Sequence, residues 1–146
     1  MTPAQAAGRR RAREAALQML YQAEVGRTSP GDAILTYWGS RDGGEELAEE
    51  HREFANALVR GTSGRLDEID ALLRGRTQNW RMERMAVLDR LVLRLATYEL
   101  IADPATPAKV VINEALELAR AYSGEEAVAF VNGVLDGVRK ELGRQA

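Results

Sequence analysis

Cysteine is absent from the sequence, which excludes a disulfide framework, a thiol nucleophile and a thiolate metal site. Histidine occurs once, at His51, with no second imidazole to share a metal. Aromatic residues make up only 5% of the chain, and Lys109 and Lys140 are its only lysines. No segment approaches the roughly 18 consecutive apolar residues of a membrane span. The phosphate-cradling GxxxxGK loop, GxGxxG and GxSxG are all missing. Carboxylates are plentiful but stand at helical spacing beside arginines, as in Glu83/Arg84 and Asp89/Arg90. That pattern reads as solvated faces and surface ion pairs, not as an acid–base couple. Neither an enzyme nor a bound cofactor is expected.

What is present is a chain of 146 residues, 45% apolar and 29% charged, which fits one domain over residues 1–146 with an ordinary globular core. Its formal charge of -2 conceals an asymmetry. Arg9, Arg10, Arg11 and Arg13 crowd five positions near the start, and without them 16 basic residues face 22 acidic ones. The body is therefore acidic and one end locally basic. The opening residues carry no hydrophobic signal-peptide core; their arginine richness allows an organellar presequence. The arginines nevertheless merge into a helix that looks integral to the fold, so a cytoplasmic protein is expected.

Strand-like alternation is absent, and helical periodicity runs almost throughout; the expected class is all-α. A first helix spans about residues 9–25, with Ala12, Ala16, Met19, Leu20 and Ala23 on one stripe and Gly26 as its stop. Ser29-Pro30 reads as an N-cap followed by a first-turn proline, opening a short helix through Ile34, Leu35 and Trp38. The loop GSRDGG at residues 39–44 follows. Over residues 45–75 the stripe Leu47, His51, Phe54, Ala55, Leu58, Leu66, Ile69, Leu72 and Leu73 keeps its period across Gly61 and Gly64. One long helix, bent at the glycines, is expected there, with His51 as a half-buried helix residue. Residues 80–100 carry apolar side chains on most faces, as the enclosed helix of a bundle does. Pro104 ends that helix. Thr106-Pro107 begins the next, and SGEE at residues 123–126 has the spacing of a capping box for the last.

Three readings compete for RRRAREAALQMLYQ, residues 9–22. It is an unspecific basic tail, a basic amphipathic helix on anionic lipid, or a nucleic-acid contact. The lipid reading is weakened by an apolar face of Ala, Leu and Met without Trp or Phe. Clustered arginines neutralise phosphates and release counterions, and arginine-rich segments fold against RNA. Tyr21 on the same helix offers a ring for stacking on a base if it faces out.

That segment, with WRMERMAVLDRLVLRLATYEL and PAKVVINEALELARAYSGEEAVAFVNGVLD, resembles the bacterial transcription antitermination factor NusB family. The three blocks occur in order and span most of the chain. The resemblance implies an all-α fold of about seven helices in two small bundles and a non-enzymatic role in transcription. It further implies pairing with the ribosomal protein NusE, binding of boxA RNA, and entry into an antitermination complex on RNA polymerase, chiefly at ribosomal RNA operons. By position, Arg9, Arg10, Arg11 and Arg13 match the family's arginine-rich motif and would hold the RNA backbone. Tyr21 and Asp89 match positions near the RNA and partner surfaces. Phe130 matches an aromatic toward the RNA, and Lys109 is a further phosphate contact.

The arginines are hard to explain as core, Tyr21 and Phe130 sit between core and surface, and Asp89 could simply pair with an arginine one turn away. Asn113 and Asn132 read as hydrogen bonders that join helices. Residues 45–75 match the family in pattern more than in identity, so no partner surface transfers there. Two other readings stay open. One is the detached helical domain of a ribosomal RNA cytosine methyltransferase, although both termini look natural. The other is a self-associating bundle, a homodimer whose arginines meet a second copy's acidic body.

Overall fold

The computed structural model describes residues 1–39, 47–77 and 82–145. Most of the GSRDGG loop, together with Trp80 and Arg81, lies outside the described residues. The described residues form seven α-helices, α1 Pro3–Gly26, α2 Pro30–Gly39, α3 Glu49–Gly64, α4 Leu66–Arg74, α5 Val87–Ala102, α6 Ala108–Tyr122 and α7 Glu125–Glu141, with a 3-10 turn at Met82–Arg84. The all-α expectation of about seven helices is met. Two compact units divide the chain, Met1–Gly64 and Arg65–Ala146.

In the first unit α1 packs against α2 and α3. It starts six residues earlier than the apolar period suggests. Thr2 and Gln5 form a capping box, with the Gln5 amide donating to Thr2 Oγ1 at 3.1 Å and the Thr2 amide to Gln5 Oε1 at 2.8 Å. Pro3 occupies the first turn, where its missing N–H removes no helical bond. At the other end Arg27 adopts the left-handed conformation and caps the helix on the Ala23 carbonyl. Ala12, Ala15, Ala16, Leu17, Met19 and Leu20 are all buried. Three alanines among them let neighbouring backbones approach closely. Ser29 caps α2 as expected, accepting the Asp32 amide at 3.1 Å. Trp38 near the end of α2 donates its indole N–H to Asn56 Oδ1 of α3 at 2.7 Å.

In the second unit α5 packs against α4, α6 and α7. Leu91, Val92, Leu93, Leu95, Ala96 and Leu100 are buried around its circumference, which is the enclosed helix its wide apolarity predicts. Asp70 of α4 and Arg94 of α5 form a two-pronged ion pair, both bonds at 2.9 Å. The end of the chain is tied back by Arg144, whose guanidinium donates to the Leu100 and Thr106 carbonyls at 2.6 Å each. Leu100 is in the last turn of α5, where carbonyls lack a helical partner.

The long helix expected over residues 45–75 is corrected to two, α3 and α4. The period survives because only Arg65 leaves the helical conformation, at φ -119° and ψ 28°. Its side chain closes on Glu68 through bonds of 2.9 and 3.1 Å, and Asp67 and Glu68 place negative charge in the first turn of α4. The capping box expected at SGEE is also corrected. Gly124, at φ 131°, is the residue before α7, and no side chain caps it. The Ser123 hydroxyl donates to the Asp89 carboxylate instead. The Thr106 hydroxyl donates to Asp103 at 2.6 Å, and α6 starts after Pro107. The segment beginning at residue 80 enters α5 only at Val87, although Met85 is buried as its stripe required.

Candidate nucleic-acid interface

Helical geometry splits the arginine motif. Residues 9 and 13 are four apart and share a face of α1, while 10 and 11 turn away by about 100° at each step. Arg10 and Arg11 are accordingly exposed, Arg9 is half-buried, and Arg13 is only 4% exposed. The Arg9 guanidinium lies 4.5 Å from the centroid of the Phe54 ring on α3, and that of Arg13 lies 5.4 Å from it. The expectation that all four arginines stand clear of the core is therefore corrected at Arg13. Its buried charge is tolerated beside an aromatic ring whose electron-rich face attracts cations.

Gly8 explains how α1 comes so close to α3. It is buried, and a methyl group built on it would lie only 2.1 Å from Cε1 of the His51 ring. His51 is half-buried as expected, with its side chain 14% exposed and Nε2 4.0 Å from the Glu50 carboxylate. A cleft of about 340 Å³ opens here, lined by Gln5, Arg9, Glu50, His51 and Phe54. Farther along α1, Tyr21 is 42% exposed and presents itself to solvent.

The remaining site residues lie in the second unit. Lys109 is exposed in the first turn of α6. Asp89 of α5 and Phe130 of α7, both half-buried, line a second cleft of about 320 Å³ with Arg84, Met85, Ser123 and Glu126. Asp89 does not pair with its neighbour Arg90. It accepts the Ser123 hydroxyl, while Arg90 is buried and donates to the Met82 carbonyl at 3.1 Å. Gly8, Phe54 and Ser123 were absent from the sequence-derived site. The pattern places Phe54 correctly on the inner stripe of its helix, but only the packing of α1 on α3 shows that its ring meets arginines.

A chain with a split arginine motif and an aromatic–carboxylate cleft matches one family model, that of the NusB family, over residues 10–140. The chain belongs to the NusB family. The Koribacter versatilis transcription antitermination protein NusB is 48% identical to it over 134 residues, covering 92% of this chain and 90% of that protein. The solved T. maritima NusB superposes with a TM-score of 0.81 at 38% identity, covering 97% of this chain and 93% of the other. A structure of the antitermination factors NusB and NusE in complex with dsRNA aligns at a TM-score of 0.82 with 26% identity, covering 92% of this chain and 97% of the matched one. No helix among the described residues is long and apolar enough to cross a membrane.

Proposed function

We propose that this chain is a cytoplasmic transcription antitermination factor that binds boxA-type single-stranded RNA together with NusE. In this reading it joins the antitermination complex on RNA polymerase and supports processive transcription of ribosomal RNA operons. The role is one of binding, with no catalytic step. The observation that carries it is the exposed pair Arg10 and Arg11, flanked by half-buried Arg9, on the first helix of a NusB-family chain whose body is acidic. The relatives' names, and a solved complex of NusB and NusE with dsRNA, support an RNA-binding role alongside NusE.

The parts divide the work that single-stranded RNA demands. Arg10 and Arg11, with Lys109, neutralise phosphates, which positions the strand without reading it. Tyr21 and Phe130 are the rings available for stacking on splayed bases. Asp89, held by Ser123, and Tyr21 contribute to the partner side.

The test is titration of a boxA-type RNA with the protein, with and without NusE. NusE should tighten binding, and replacing both Arg10 and Arg11 by Ala should weaken it by about tenfold or more, since phosphate contacts dominate affinity. Affinity unchanged by that double replacement would remove the assigned role of the motif.

A further inference from the structure

We infer that Phe54, a residue outside the arginine motif, is the positioning residue that presents it to RNA. The inference rests on the RNA-binding reading above and deepens it. Two guanidiniums lie over the ring of Phe54, Arg9 at 4.5 Å and Arg13 at 5.4 Å from its centroid. Both arginines come from one face of α1, one turn apart, where like charges would otherwise repel. A ring placed against both relieves that repulsion, because the negative π face attracts each cation without consuming an N–H donor.

The two contacts do different things. Arg13 is almost wholly buried, so its contact fixes the seat of α1 on α3 and leaves it little surface for a phosphate. Arg9 is half-buried and lines the open cleft beside Gln5 and Glu50. Its guanidinium is held at the surface before any RNA arrives. A long side chain already confined loses less freedom on binding, so the strand meets a partly ordered grip. Phe54 thus acts through Arg9 rather than on the RNA itself.

The experiment uses the full chain with NusE and a boxA-type RNA. Phe54 is replaced by Leu, by Tyr, and by phenylalanines carrying one, two and three ring fluorines, which withdraw the negative face with little change of shape. Phe54→Leu should weaken RNA binding about three- to tenfold and Phe54→Tyr should stay within about twofold, the range expected for one cation–π contact. The fluorinated series should weaken binding in step with fluorine number, and should do so much less in an Arg9→Ala background, while any fall in melting temperature carried by the Arg13 contact is the same in both. A ring acting only through the seat of α1 would give the same gradation with or without Arg9. Equal affinity across the fluorine series would overturn the inference, even if Phe54→Leu weakened binding by loosening the fold. Arg10→Ala and Arg11→Ala run alongside. If those weaken binding and the ring series does not, Phe54's role alone fails; if neither does, the RNA-binding reading fails with it.

Discussion

At position 8 a single hydrogen stands where any other residue would put a carbon, and the His51 imidazole fills the space. Gly8→Ala sets two effects against each other. The methyl raises helix propensity by about 1 kcal/mol. It also overlaps a ring in a tight contact, and overpacking of that kind costs about 1–3 kcal/mol. The ring is confined, with its side chain only 14% exposed, so the clash should win. Urea unfolding should show Gly8→Ala less stable than the parent, and adding His51→Ala should restore most of the loss. A Gly8→Ala protein as stable as the parent would mean the ring swings aside freely. The burial of Arg13 belongs to the same scale. Composition and clustering made every arginine of the motif look exposed. The four-residue spacing of Arg9 and Arg13 held the information that these two share a face, but which face meets α3 depends on a non-local contact with Phe54.

Between elements, α4 and α5 of the second unit are tied by the two-pronged bond from Arg94 to Asp70. The partners are 13% and 10% exposed, so little water competes for either. Removing one charge takes the opposite charge away from the other, which costs about 3–5 kcal/mol for fully buried pairs. With some solvent access remaining, Asp70→Ala should cost about 2–4 kcal/mol, read from the chemical-denaturation midpoint at unchanged slope. An Asp70→Ala, Arg94→Leu double variant should be more stable than Asp70→Ala alone, because it no longer buries a guanidinium whose carboxylate has been removed. Neither residue stood out in the sequence, where Asp70 is one acid among many on a helix. The helices themselves were legible wherever apolar period and a breaker agreed: α2 after Ser29-Pro30, α5 ahead of Pro104, and α6. The errors cluster at junctions. A periodic stripe cannot register a one-residue break such as Arg65, since Leu66 and Ile69 keep the phase. The spacing at SGEE cannot show that the Ser123 hydroxyl has a tertiary acceptor, Asp89, 34 residues earlier in the chain.

For the molecule as a whole, charge sets how binding responds to salt. The chain is net negative, so RNA gains no general attraction and must be held by the few cations that reach phosphates. The exposed candidates are Arg10, Arg11 and Lys109, with Arg9 half-exposed, whereas Arg13 is buried and should not count. Each phosphate neutralised on a single strand contributes about -0.7 to the slope of log affinity against log salt. Four contacts predict a slope of about -3 between 50 and 200 mM salt, and three predict about -2. Lys109 lies in the other compact unit from the arginines, so its substitution asks whether one RNA engages both. Lys109→Ala should reduce the slope by about 0.7, as should Arg11→Ala. Arg13→Gln should leave the slope alone while lowering affinity, through the loosened seat of α1. A Lys109→Ala slope equal to the parent's would confine the phosphate footprint to the first unit. An Arg13→Gln slope reduced as far as that of Arg11→Ala would show that Arg13 leaves its buried place over Phe54 when RNA binds.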